Sequence, residues 1–319
     1  MIDILDGVYH IRTDRYSYLF RITSAGILEH LYFGLPVQTG DAKAFVCHPG
    51  LGWGSSVLLD DGDSGSCLDD KPLEWSSSGR GDYRESPIEL CGTSADFRFA
   101  GSRTYQGIAP MNGTLPQAKG ACETLEITLE QKGLRLTLIY SAFPGALVRR
   151  TVMENIGEEP VRVNKLMSMS LDLHGDYVMT TFNGGWIAEM RRQDVPVGGS
   201  KVVNESLTGA SSNRHNPGFL LSEPGATEDV GVVYGFNLIY SGNHYASAQQ
   251  SLQGFTRVMQ GINPSNFHKV LQSGELFETP EAVLCFSEEG FGGLSRTMHR
   301  FVNDHIVPQY WQGRLRPVK

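Results

Sequence analysis

The stretch ETLEITLEQKGLRLTLIYS, residues 123–141, decides the fold class. Leu125, Ile127 and Leu129 alternate with polar residues, Gln131-Lys132-Gly133 supplies a turn, and Leu134, Leu136 and Leu138 alternate again. Successive side chains on a strand point to opposite faces, so this period of two places the apolar set on one face of a hairpin. The run LVRRTVMENIGEEPVRVNKLMSMSLDL (147–173) repeats the plan around Gly157-Glu158-Glu159-Pro160. YSYLFRI (16–22) and GILEHLYFG (26–34), joined at Ser24-Ala25-Gly26, read as strands, as do VGVVYGFNLIYSGN (230–243) and EAVLCFSEEG (281–290). So many antiparallel strands predict an all-β fold in which two large sheets pack face to face.

The C-terminal end breaks the pattern. In FGGLSRTMHRFVNDHIVPQY (291–310), Phe291, Leu294, Met298, Phe301 and Val302 share one helical face and Arg296, Arg300 and Asn303 the other, with Pro308 as the stop. The spacing predicts a β-sandwich over 1–288 and a linker α-helix segment over 289–319.

Composition narrows the function classes. The chain has 319 residues, 40% of them apolar, and a formal net charge of -8, with 27 Lys and Arg spread along its length. No basic patch forms, which argues against nucleic acid; a neutral ligand suits this balance. The start, MIDILDGVYHIRTD, lacks a secretory h-region, and no apolar run approaches the ~18 residues of a membrane span. Five scattered cysteines without a CxxC pair read as free thiols of a reducing cytoplasm.

Two long strand-poor segments, 48–82 and 205–218, are the places to look for function. The glycines at 50–54 and 290–293 lack the strand–turn–helix setting of a dinucleotide site. The acidic run Asp60, Asp61, Asp63, Asp69 and Asp70 fails as a calcium loop, because counting from Asp61 puts Ser66 at the sixth position and Pro72 at the twelfth. Asp69 with Trp75 is the better candidate: a carboxylate accepts hydroxyl hydrogen bonds, and an indole face packs against sugar C–H groups. Nine histidines show no zinc spacing, no GxSxG occurs, and the sequence nominates neither a carboxylate pair, a metal site nor a cofactor. The residues alone reach a cytoplasmic β-sandwich whose long loops face carbohydrate, and no reaction.

Several segments resemble glycoside hydrolase family 36, the α-galactosidases. They are SYLFRITSAGILEHLYFG (17–34), GRGDYRESPIEL (79–90), SMSLDLHGDYVMTTFNGGW (168–186), SSNRHNP (211–217), VYGFNLIYSGNHYA (233–246) and the run 274–306. They occur in family order and span nearly the whole chain. The resemblance implies an N-terminal β-supersandwich with a linker helix. In the family, a run like Arg316-Pro317-Val318 leads into a (β/α)8 barrel that carries both catalytic aspartates. The implied parent reaction is retaining hydrolysis of terminal α-galactosides, and this chain alone is expected to be inactive. Its implied partners are the catalytic barrel, a galactose-containing oligosaccharide, and further copies in a homo-oligomer. Asp69 and Trp75 are expected to face a galactose site on a neighbouring subunit, with Asp82 and Arg84 supporting the loop as an ion pair. The local run Cys67-Leu68-Asp69-Asp70-Lys71-Pro72-Leu73-Glu74-Trp75-Ser76 departs in spacing from the family's usual one, as does His215 in the 211–217 segment. The resemblance also implies apolar surface left bare around Phe291, Leu294, Met298, Phe301 and Trp311. Two alternatives stay open: an aldose 1-epimerase-like enzyme using a glutamate with His174, His215 or His244, and a free-standing carbohydrate-binding module.

Overall fold

The structure is a computed structural model that describes residues 1–47, 67–76 and 81–315. Asp60, Asp61, Asp63 and the terminal Arg316-Pro317-Val318 lie outside the described residues. In chain order the strands are β1 (Ile2–Leu5), β2 (Val8–Arg12), β3 (Ser17–Ile22), β4 (Leu28–Gly34), β5 (Ile88–Leu90), β6 (Arg98–Gln106), β7 (Glu123–Gln131), β8 (Leu134–Phe143), β9 (Ala146–Asn155) and β10 (Val161–His174). There follow β11 (Val178–Asn183), β12 (Arg191–Pro196), β13 (Val202–Glu205), β14 (His215–Ser222), β15 (Val233–Leu238), β16 (His244–Gln250), β17 (Phe255–Ile262), β18 (Lys269–Leu271), β19 (Leu276–Glu278) and β20 (Ala282–Ser287). Among the described residues one α-helix, α1 (Gly290–Phe301), follows the strands and continues as a wider turn over Val302–Ile306.

Three antiparallel sheets result. A ten-stranded sheet runs β12-β11-β14-β15-β20-β9-β8-β7-β6, with β19 beside β9; a six-stranded sheet runs β13-β16-β17-β10-β18, with β5 beside β10; β1 to β4 form a third. The expected 123–141 hairpin is β7–β8, pairing Leu129 with Leu136 and Ile127 with Leu138. One apolar cluster joins all three sheets: Phe20 and Phe33 from the small one, Leu136 and Phe236 from the large one, Leu171 and Val258 from the third. The ten-stranded sheet is therefore one layer of a sandwich, and the other two sheets form the facing layer.

Strand β20, AVLCFS, is buried throughout because both its faces are covered. Leu284 and Phe286 point into the sandwich, whereas Val283 and Cys285 join a second apolar cluster with Phe291, Leu294 and Phe301 of α1. Gly235 allows this docking, since a Cβ there would meet Leu294 Cδ2 at 2.9 Å. The loop before β15 caps the helix: Phe291 and Gly292 donate backbone N–H bonds to the carbonyls of Thr227 and Glu228. The expected bare patch on this helix is thus corrected. Phe291, Leu294 and Phe301 are buried against the chain's own large sheet, Met298 is partly buried, and only Trp311 of that set is exposed. The amphipathic pattern was real, but its apolar stripe serves this sheet. The segment 205–218 is likewise shorter as a loop than expected, because β14 begins at His215.

Candidate functional site

The segment 67–76 is stitched into the sandwich as an extra extended run. His30 N–H donates to Pro72 O and Glu74 N–H to Leu28 O, so the segment lies along β4. On its other side Asp172 N–H donates to Leu73 O, and Leu73 N–H donates to Asp172 Oδ2 at 2.7 Å. It therefore bridges the four-stranded and six-stranded sheets.

Two buried polar clusters hold it. The first surrounds Glu74, which accepts from Tyr18 and Tyr140 hydroxyls at 2.7 and 2.8 Å, from His30 Nδ1 at 3.0 Å, and pairs with Arg149 at 2.8 Å. Burial pushes the Glu74 carboxyl up, but the Arg149 guanidinium and the His30 and Tyr18 hydrogen bonds outweigh it and hold the group below the ordinary range. The Arg149 guanidinium also stacks over the Tyr140 ring at 4.7 Å.

The second cluster contains Asp82 and Arg84. Arg84 Nε donates to Asp82 Oδ1 at 2.8 Å, its NH1 to Asp172 at 2.9 Å, and its NH2 to the carbonyls of Leu68 and Lys71. Arg257 grips Asp172 through two bonds of 2.7 and 2.8 Å and reaches Asp82 at 2.7 Å. Ser76 Oγ donates to Asp82 at 2.5 Å. Two aspartates and two arginines thus satisfy one another, bidentate where the geometry allows. Burial opposes ionisation of Asp82, yet Arg257, Arg84 and the Ser76 hydroxyl bring it down to about 2. A carboxylate held there is ionised and saturated at neutral pH, so it is no proton donor for catalysis.

Asp69 sits at the edge of this cluster, 3.9 Å from Arg84 and 29% exposed, on the wall of a cleft of about 520 Å³. Tyr83, Glu85, Gln249 and Gln253 line the same cleft. Glu85 is tied to Lys165 at 2.7 Å, Lys201 at 3.0 Å, Tyr245 Oη at 2.9 Å and Ser247 Oγ at 3.0 Å. Burial pushes the Glu85 carboxyl up, but Lys165 together with the Lys201 and Tyr245 hydrogen bonds holds it below the ordinary range. The cleft offers hydrogen-bonding groups and charges already paired, an arrangement suited to holding a hydroxylated molecule. The structure brings Asp69, Asp82 and Arg84 together. Trp75 is elsewhere: it is 2% exposed and packed in the main core, so its indole face is not offered to a ligand in this cleft. Of the candidate histidines, His215 lies 3.2 Å from Asn183, His244 is buried, and His174 packs edge-on against Phe255.

Sequence reasoning missed Asp172, Arg257, Glu74 and Glu85. A signal existed: Asp172 and Arg257 interrupt the apolar runs LMSMSLDL and FTRVM, and a charge inside a buried strand needs a buried partner. Their pairing across 85 positions is not readable from one sequence. Among the described residues no group of three or more His, Cys, Asp or Glu is placed to hold a metal ion, and no helix is long and apolar enough to cross a membrane.

Comparison with known proteins agrees with this architecture. Residues 26–272 match the glycosyl hydrolase family 36 N-terminal domain. The chain is 33% identical to α-galactosidase AgaA of Geobacillus stearothermophilus, over 97% of its own length and 44% of the relative's. It is 31% identical to α-galactosidase Mel36A of Lactobacillus acidophilus, over 99% and 45%. Among solved structures, AgaA in complex with raffinose superposes with a TM-score of 0.91 at 33% identity, covering 98% of this chain and 45% of that one. The galactosidase domain of the α-galactosidase–sucrose kinase AgaSK superposes with a TM-score of 0.94 at 27% identity, covering 100% and 46%. The chain spans less than half the length of these relatives. It belongs to glycosyl hydrolase family 36, and its sandwich is that family's N-terminal domain.

Proposed function

We propose that this chain serves an α-galactosidase-like glycoside hydrolase as its assembly and substrate-rim domain. The reaction is retaining hydrolysis of terminal α-galactosides, carried out by a barrel outside these 319 residues. The observation that carries the reading is the coverage: the chain aligns end to end with relatives of which it fills under half. The charge pairing supports it, because Asp82, Asp172 and Glu74 are each locked by arginine and none is poised for acid–base work. Asp69 is the residue assigned to saccharide contact, with Asp82 and Arg84 fixing its segment from beneath. Trp75 contributes to the packing under that segment rather than to sugar stacking. The site works in the cytoplasm, in a homo-oligomer whose neighbouring subunit supplies the galactose pocket. AgaA structures carrying raffinose and stachyose support the ligand class.

The test is hydrolysis of a chromogenic α-galactoside by the purified 319-residue chain. The expected result is no turnover above a heat-killed control. Saturable turnover would place catalytic carboxylates within these residues and overturn the reading.

A further inference from the structure

The six-stranded sheet has a second polar region, on the face opposite Asp69. Along β16, Tyr245 and Ser247 point outward to Glu85, whereas His244, Ala246 and Ala248 point into the sandwich. Across this inner face the register aligns Asn204 of β13, Ala246 of β16 and Gln260 of β17. His244 lies two residues along β16 from Ala246. All three polar side chains are buried. Asn204 donates to Asn216 O at 2.8 Å and Gln260 to Pro217 O at 2.7 Å, fixing both amides against β14. Yet Asn204 Oδ1, Gln260 Oε1 and both ring nitrogens of His244 have no hydrogen-bond partner. A buried polar atom left this way is a net cost to the fold. Four in one end of a sandwich are not accounted for by packing alone.

An open cleft reaches one of these side chains, Asn204. It has a volume of about 470 Å³, inside the ~300–1,000 Å³ range of small-molecule sites. It lies between the edge strands β12 and β13, where the two layers part. Asn204 lines it directly, with Asn183 and His215 on the facing strands, Glu205 and Arg214 giving opposite charges, and Val195 among its aliphatic walls. Burial, with a smaller contribution from nearby His215, lowers the His244 imidazole to about 4, so the ring is neutral near pH 7.

We propose that the β12–β13 cleft is a binding site for a small neutral saccharide, with Asn204, Asn183 and His215 as direct contacts and the buried His244 and Gln260 on the strands behind them. The chemistry selects the class. Two amide oxygens need donors, and a neutral imidazole offers one donor and one acceptor. A carboxylate ion carries no proton for the amide oxygens, a hydrogen phosphate would set its negative charge against Glu205, and an ammonium cannot accept from the imidazole. Hydroxyl groups do both, directly or through one ordered water. The aliphatic walls suit the C–H faces of a sugar. This site is separate from the Asp69 cleft, which lies on the other face of the same sheet.

The experiment is side-chain NMR of the 319-residue chain, titrated with D-galactose, raffinose and, as a control, inorganic phosphate. The expected result is saturable movement of the His215 and Asn183 signals with sugar and none with phosphate. His244→Leu removes no hydrogen bond made by the protein, so it should fold, and it should weaken sugar binding at least tenfold. No saturable shift at His215 or Asn183 would overturn the proposal and leave the unpartnered atoms to internal water only. So would equal shifts with phosphate, or undiminished affinity in His244→Leu. Shifts confined to Gln249 and Gln253 would uphold the Asp69 cleft and reject this one.

Discussion

The six-stranded sheet carries a polar cluster on each face, and the two clusters differ in how far their groups satisfy one another. On the outer face, Asp82, Arg84, Asp172 and Arg257 satisfy one another so fully that hydrogen bonds left over go to backbone carbonyls. On the inner face, His244, Asn204 and Gln260 are as deeply buried and keep unpartnered atoms. A saturated network rigidifies a fold and has nothing left for a ligand, whereas an unsaturated one next to a cleft has capacity to bind. The charged cluster that draws the eye is therefore structural, and the uncharged one is the better place to look for recognition.

The largest test of this contrast is to cut the outer network. Arg257→Ala leaves Asp172 and Asp82 short of their main partner in a dry site, and the expected loss is about 3–5 kcal/mol of stability, read from the urea midpoint. Glu74→Ala should behave alike, stranding Arg149. A loss below about 1 kcal/mol in either variant would mean that water reaches these charges.

The pH dependence sharpens the contrast. Burial raises the Glu281 carboxyl to about 7, against opposition from the Ala118 N–H and Arg150. The folded chain then holds a proton between about pH 4.5 and 7 that the unfolded chain releases. Stability from this group is complete at low pH and falls by up to about 3 kcal/mol as pH rises through that window. Glu281→Gln should flatten the decline. His244 acts in the opposite sense. Its folded value near 4 lies below the ordinary 6.5, so its contribution is present above pH 6.5 and is lost on acidification towards 4. In His244→Leu that acid limb should shrink, while stability at pH 7 should not fall, since no hydrogen bond is lost and two unpartnered ring nitrogens are removed. A persistent acid limb would assign it to another group.

The smallest expected effect is at Asp69. It is partly exposed and only 3.9 Å from Arg84, so Asp69→Ala should shift stability by no more than about 0.5 kcal/mol. A larger loss would make Asp69 part of the structural network rather than a group free to meet a ligand.

Strand alternation made much of the fold legible: β7–β8 and β9–β10 follow directly from apolar residues two apart, and α1 from its 3.6-residue stripe. Destination was not legible. The stripe of α1 reads equally well as a face for a partner or for the chain's own sheet, and only the tertiary fold, with Gly235 opposite Leu294, decides for the sheet. The same limit applied to Trp75, whose sequence neighbourhood suits a sugar platform but whose ring fills the core. Arg84 was visible beside Asp82, yet the network needs Asp172 and Arg257 from distant strands. The inner site was the least visible, because His244, Asn204 and Gln260 become one feature only through the register of three strands.

The most direct test of the contrast is an NMR titration of the Asp82 side-chain carboxyl in the intact chain. The account predicts that Asp82 stays ionised from neutral pH down past 3, with a midpoint of about 2. A midpoint above 4 would mean that Arg257 and Arg84 do not saturate it, and the outer cluster would regain the capacity for acid–base chemistry denied to it here.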